Sequence, residues 1–506
     1  MRDATRAGRT HLWASQLAVT VLAVAALSAC ASSRAGGGAA EAPLPESPAA
    51  TVRLAAPAAP ATVAPSPVPE ALLHGETQVD LAMVVDLALA NSPLTRASWL
   101  QARSAAAQLG SERADYWPSV DLTADATRSS VASANENVQP GTNWGPTVAV
   151  DFLLFDLSRA ARVEEARQML LATDWSHNAT VQGVVLTTLQ AYYGYQNIRG
   201  QRDAAASSMK TAQVVLEAAT LRREAGLATR AEVLLATTAS SRAQLAFEAL
   251  DGEYAAARGA LATALGLPAS TPLDVGPLPA EVPIDAVAGA VERLVAGALA
   301  ARPDLAATRV EAEKARVHIV SVRGEGWPTM SLSGSTGRRW FNSAGDTAQA
   351  DTWSAGFYLR FPLFTGWAQS YDLERARADA AVAEARTTAL EQQIGLEVWT
   401  AYYALHTAGQ RVRTSRDLLA SATESEEVAL ARYREGVGTL LDLVVSQSVL
   451  ADARAQEVAA RADFLSALAA LGYATGRLDS AGVREFAPAT AVVAPPAAAD
   501  EKPQER

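Results

Sequence analysis

The sequence predicts a mainly α-helical chain with a small β part, built from one helix–strand–strand–long helix–return helix unit used twice. Three observations predict it. Pro93, Trp117-Pro118 and Ala191-Tyr192-Tyr193 recur as Pro303, Trp327-Pro328 and Ala401-Tyr402-Tyr403, a constant offset of 210 residues (303 − 93). Two stretches, from Leu157 to Arg223 and from Ala368 to Arg434, contain no proline and are dominated by Ala, Arg, Glu, Gln and Leu. Ahead of each stands a pair of segments whose apolar residues fall at every second position, the period of a β-strand. A repeat held in register over such a span marks a structural unit that is used twice.

Residues 1–29 read as a secretory signal, with Arg2, Arg6 and Arg9 ahead of an apolar run from Leu17 to Leu27. That run falls short of the ~20 residues a membrane-spanning helix needs. The following Leu27-Ser28-Ala29-Cys30 resembles a bacterial lipobox, so Cys30, the only cysteine, is the expected lipidation site. Residues 30–76 are rich in Ala and Pro and read as a tether, and 480–506 as a disordered tail.

The first unit is expected over residues 77–270, with strands at about 118–131 and 145–155, a long helix over 157–223 and a return helix over 229–266. The second is expected over 284–476, with strands at about 328–341 and 352–364, a long helix over 366–434 and a return helix over 439–474. Each Trp-Pro step ends a helix, because proline disfavours the helical conformation in the residue before it. In the first strand Val120, Leu122, Ala124 and Ala126 alternate with Asp121, Thr123 and Asp125. The loops at 133–145 and 341–351 read as hairpin tips. Phe152–Phe155 matches Phe361–Phe364, and Ala264-Leu265-Gly266 is paired with Ala470-Leu471-Gly472. Each long helix would reach ~100 Å at 1.5 Å per residue and turn at glycines, Gly226 or Gly436 with Gly438. A heptad seam is read through Leu441, Val444, Ser448, Ala451, Ala455, Val458, Ala462 and Leu465.

Composition excludes several functions. The net charge of -11 argues against a general nucleic-acid partner, which would need a basic stripe against phosphates. Lysine occurs only at 210, 314 and 502, and none sits in a phosphate-binding loop. One cysteine and five scattered histidines form no metal motif, and no cofactor or enzyme motif is present. The alternating strands suit either a soluble sheet face or a lipid-facing barrel. The export signal, the lipid anchor and the flanking Trp117, Trp144, Trp327 and Trp353 point to the barrel. Four strands cannot close a barrel alone, because open edges are not tolerated in lipid.

The residues now in hand resemble the TolC-like outer-membrane efflux family over about 77–476. They are the duplicated Asn91-Ser92-Pro93 and Ala301-Arg302-Pro303 openings, the Trp-Pro strand starts, the paired Phe-rich strand ends, and the hairpin from Tyr433 to Asp442. The resemblance implies a homotrimer whose protomers each give four strands to one shared 12-stranded barrel, with the helices forming a hollow cylinder across the periplasm. It implies a passive channel between a periplasmic adaptor, an inner-membrane pump and the outer membrane, with no catalysis. It further implies adaptor docking at the tips Gly226, Leu227, Thr229, Gly436, Val437, Gly438 and Thr439, and an aperture gate at Asp442. Glu232, Tyr433 and Arg434 are secondary gate candidates. Asp121, Asp125 and Arg360 would line the barrel lumen. Where the family often has a second Asp after Asp442, this chain has Val445. A channel for one-step protein secretion is the runner-up. A lipid-anchored periplasmic coiled-coil spacer, the reading from another class, leaves the four strands without a use.

Overall fold

The computed structural model describes residues 81–129, 141–284, 290–343 and 346–478. The expected signal, Cys30, the tether and the tail lie outside the described residues. The first unit runs α1 (Leu81–Asn91), α2 (Pro93–Arg113), β1 (Ser119–Ser129), β2 (Gly141–Phe155), α3 (Leu157–Glu224) and α4 (Arg230–Ala264). The second runs α5 (Val291–Ala301), α6 (Pro303–Glu325), β3 (Thr329–Ser343), β4 (Asp346–Arg360), α7 (Ala368–Arg434) and α8 (Leu440–Ala474).

The opening helix of each unit is broken in two at its proline. Pro93 and Pro303 each take the first turn of the second piece, where a missing N–H costs nothing. The break is held differently in the two copies. Ser92 Oγ accepts the Leu94 N–H at 3.2 Å. At the matching place the Arg302 side chain binds Asp304, Glu397 and the Ala474 carbonyl.

The two long helices are 68 and 67 residues, each rod being ~100 Å at 1.5 Å per residue. Such lengths need packing along the whole rod, since propensity alone does not hold a helix of this size in one place. α3 packs against α2, α4, α6 and α8, and α7 against α5, α6 and α8. The main core lies where these helices cross, around Leu189, Tyr195, Leu261, Val412, Phe464 and Leu468. Tyr192 and Tyr193 are buried there with edge-to-face rings 5.4 Å apart, a packing role. Their repeats Tyr402 and Tyr403 keep the edge-to-face pair at 5.3 Å but differ in burial: Tyr403 is exposed and also stands against Trp399 at 5.1 Å.

Helix ends repeat with the 210-residue spacing. Gly226 and Gly436 have φ of 74° each, and Gly266 and Gly476 have 72° and 71°. All four sit just past a helix in the left-handed conformation that glycine tolerates best. Leu227 N–H reaches back to the Arg222 carbonyl at 2.7 Å, and Val437 N–H to that of Arg432 at 3.0 Å.

The four strands form one antiparallel sheet in the order β1-β2-β3-β4, leaving β1 and β4 as edges. A bulge between Leu153 and Phe155 lets Phe155 pair with Met330. The extra residue turns Phe155 onto the face that Phe152 and Leu332 share.

Several expectations need correction. β2 begins at Gly141 and β3 extends to Ser343, so much of the presumed loops at 133–145 and 341–351 is strand. Asn, Ser and Gly there follow the sheet ladder, because pairing with neighbours overrides their weak strand preference. β4 stops at Arg360, before Phe361–Phe364. Pro362 cannot donate to a ladder, and the chain turns through Gly366 and Trp367, both left-handed, before α7. The heptad seam is met only in part: Ala462 and Leu465 are buried, but before them α8 buries Leu440, Leu443, Leu450, Ala453, Glu457 and Ala460, one or two positions ahead of the expected residues, while Leu441 is exposed. α8 touches both α7 and α3, so its buried stripe is set by two neighbours. The partner of Gly266 is Gly476, not Gly472, because Gly476 ends α8 as Gly266 ends α4.

Candidate functional site

Two regions carry the predicted residues: the sheet at one end of the helices and the two helical turns at the other.

In the sheet, register decides which side chains share a face. Leu122 pairs with Val148, Val148 with Thr336 and Thr336 with Trp353, so these four lie on one face. By the same alternation that face carries Val120, Trp144, Val150, Leu332, Phe357 and Leu359, all exposed, with Leu122 at 74% and Trp353 at 79%. Trp144 and Trp340 stack at 4.4 Å near the hairpin end. A water-facing surface does not carry so broad an apolar patch without a partner. An apolar band with aromatics near its border is the pattern of a barrel wall in lipid. Among the described residues, no helix is long and apolar enough to cross a membrane.

The opposite face is polar. Asp121 aligns with Ala149, Ser335 and Ser354, while Arg360 pairs with Thr329 two positions beyond Tyr358. Asp121, Asp125 and Arg360 therefore share this face, and all three are exposed. Arg339, which sequence reasoning missed, makes two hydrogen bonds of 3.0 Å to the Asp125 carboxylate. Nothing in the linear sequence links residues so far apart.

At the far end, the two turns are built alike. α4 starts on Thr229, whose Oγ1 accepts the Glu232 N–H at 3.3 Å. α8 starts on Thr439, whose Oγ1 accepts the Asp442 N–H at 3.1 Å, and the Asp442 carboxylate accepts the Thr439 N–H at 3.3 Å. This reciprocal cap gives Asp442 a local duty. Hydrogen bonds from the Thr439 side chain and backbone hold its carboxyl below the usual range, and Arg432 adds to this. Asp442 is fully exposed, so the charge is presented to solvent while it caps the helix. Glu232 holds the matching position on α4, half-buried.

The turns present apolar tips. Leu227 and Val437 are each 71% exposed. Their glycine neighbours differ in role. Gly226 and Gly436 have open space around them but need positive φ. A Cβ at Gly438 would lie 2.9 Å from the Arg432 Cβ and 3.1 Å from the Tyr433 nitrogen, so Gly438 is required by close packing.

Tyr433 is buried at the second turn with Val215, Ala219, Ala236, Leu440 and Leu443. The Arg222 guanidinium lies 4.9 Å from its ring centroid and Arg222 Nη1 donates to its carbonyl at 3.4 Å. Arg222 belongs to the last turn of α3, so the contact ties the first hairpin to the second. Arg434, the neighbouring candidate, is exposed. Arg222 escaped the sequence reading, although the repeat offers a signal: Arg432 stands at its corresponding position.

Comparison with known proteins places this geometry. The family model described as outer membrane efflux protein matches residues 84–267 and again 294–477. The chain is 30% identical to Protein CyaE of Bordetella pertussis over 427 residues, covering 83% of this chain and 88% of that protein. It is 23% identical to the toluene efflux pump outer membrane protein TtgC of Pseudomonas putida, covering 74% of this chain and 78% of that one. The fold superimposes on the CmeC outer membrane channel of Campylobacter jejuni with a TM-score of 0.69 at 17% identity, covering 80% of this chain and 89% of that one. One family thus accounts for both repeats and for the sheet they share: the chain belongs to the outer membrane efflux proteins, channels set in the outer membrane with their helices on the periplasmic side.

Proposed function

We propose that this chain is the outer-membrane channel of a tripartite efflux system. Three copies close a shared barrel from the exposed edges β1 and β4, and the chain is held further by lipid on Cys30. The carrying observation is a four-stranded sheet, apolar on one face and polar on the other, joined to two helical hairpins with long arms of ~100 Å and matched tips. The conduit performs no chemistry. Small solutes enter from an inner-membrane pump through a periplasmic adaptor, and the energy comes from that pump.

On this reading the tips are the docking points. A Val or Leu side chain removed from water contributes about 1.5–3 kcal/mol, and each protomer offers two such side chains, Leu227 and Val437. Changing both to glutamate leaves the positive-φ glycines untouched. Efflux in a strain lacking its own channel is expected to fall to background, with trimers and surface expression retained. Full drug resistance in the double variant would refute tip docking.

The contact between Arg222 and Tyr433 would restrain the closed aperture, because opening requires the two hairpins to part. A cation–π contact of this kind is worth ~1 kcal/mol. Arg222→Ala is expected to raise the open fraction in single-channel recordings about fivefold, the equivalent of ~1 kcal/mol. An unchanged open fraction would remove the contact from the gate.

A further inference from the structure

The consecutive arginines 338 and 339 point to opposite faces of the sheet, and each meets an aspartate. Arg338 pairs with Asp351, its direct neighbour across β3 and β4, on the apolar face. Arg339 does something less local. It reaches past β2 entirely and grips Asp125 on β1 with both terminal nitrogens, on the polar face.

The reach depends on Gly145. Asp125 pairs with Gly145 in the β1–β2 ladder, so that residue stands between acid and base. A Cβ at 145 would lie 2.0 Å from the Arg338 carbonyl oxygen and 3.1 Å from the Arg339 Cα. No side chain fits there. The neighbouring Pro146 has no N–H to give, and regular pairing between β2 and β3 lapses over both residues. The result is a bare strip of backbone across which Arg339 reaches its partner. Two parallel N–H···O bonds fix the guanidinium in the plane of the carboxylate, a geometry lysine cannot copy.

We propose that the Asp125–Arg339 pair sets the ionic preference of the hairpin half of the barrel. This rests on the shared-barrel reading above, in which the polar face lines the lumen. Paired, the three copies present neutral groups at that height, and the acidic character of the lumen is left to residues such as Asp121. Unpaired, they become a ring of three like charges. Such a ring in a narrow lumen generates a potential of order kT or more, enough to change a permeability ratio about twofold or more. The pair is therefore a specificity determinant for charged solutes: without Asp125 the ring retains anions, and without Arg339 it retains cations.

The test is the reversal potential of purified trimers in planar bilayers under a potassium chloride gradient. Asp125→Asn is expected to move the permeability ratio towards chloride about twofold, and Arg339→Gln to move it towards potassium by a similar factor. The exchanged variant Asp125→Arg with Arg339→Asp restores a pair and is expected to return to the wild-type ratio, which also shows that the wall still folds. Asp121→Asn, on the same face and without an ion pair among the described residues, is the control for the face itself. It is expected to lower potassium preference. If Asp121→Asn shifts the ratio while Asp125→Asn and Arg339→Gln do not, the pair has no part in selectivity. If none of the three shifts it, the polar face does not line the lumen and the barrel reading falls with the proposal.

Discussion

Replacing Arg302 with alanine is expected to lower the stability of the helical body by about 3 kcal/mol, the cost of breaking a buried charge pair from one side. The side chain is only 5% exposed and stands where α5 gives way to α6. It binds Asp304 on α6 and Glu397 on α7, and its guanidinium lies 5.6 Å from the ring centroid of Tyr473 on α8. Three helices therefore meet on one cation. Burial works against the charge, but the hydrogen bonds and charges of Asp304 and Glu397 outweigh it and hold the guanidinium above its ordinary value. Truncation leaves two carboxylates without their counter-charge. Both keep partial access to water, so the loss stays near the lower end of the range for buried pairs. Thermal melts of the detergent-solubilised protein should show it, and Arg302→Lys should recover only part, since lysine lacks the fork. A melt of Arg302→Ala identical to wild type would mean that the three helices are held together without it.

The opposite sign is expected at Asp174. This residue of α3 is 2% exposed, and neither carboxylate oxygen has a hydrogen-bond partner. One turn on, buried His177 holds its Nδ1 2.7 Å from Ser98 Oγ on α2. Burial pushes the Asp174 carboxyl up to about 7, against about 3.9 in an unfolded chain. Below pH ~4 the group is protonated in both states and costs nothing. As the pH rises from ~4 to ~7 the unfolded chain ionises first, so stability is lost through that window and stays lost above it. Three pH units correspond to ~4 kcal/mol at most. Asp174→Asn keeps the shape without the charge, and should raise the thermal midpoint at pH 8 while leaving it nearly unchanged at pH 4. A shift of equal size at both pH values would show that ionisation is not the cause.

Much of this architecture was written in the repeat. Pro93 and Pro303, the two Trp-Pro steps and the glycines at 226 and 436 act through backbone geometry, and geometry of that kind is local. Helix ends were accordingly legible to within two residues, as at Leu157–Glu224. Strand ends were not. The hairpin ends of β2 and β3 mix Asn, Gly, Ser and Thr among their aromatic and charged residues, and these become strand only because a neighbour supplies the ladder. Ahead of Ala462 and Leu465, the buried stripe of α8 lies one or two residues before the expected seam for a similar reason: contacts with α3 and α7 choose among closely spaced small side chains. Of the candidate site, the tips and the polar sheet face could be read from spacing. Arg222 and Arg339 could not, because each acts on a residue brought near only by folding.

The four glycine turns show what duplication keeps and what it releases. Their φ angles agree between the copies almost to the degree, yet the side chains that secure matching helix breaks differ in chemistry, a serine hydroxyl in one copy and an arginine knot in the other. Two identical halves would need one junction to suit both surroundings. Joining two halves in one polypeptide lifts that demand. Matching junctions can then take up different chemistry, as the serine and the arginine do at the two helix breaks, with no change to the path of the chain.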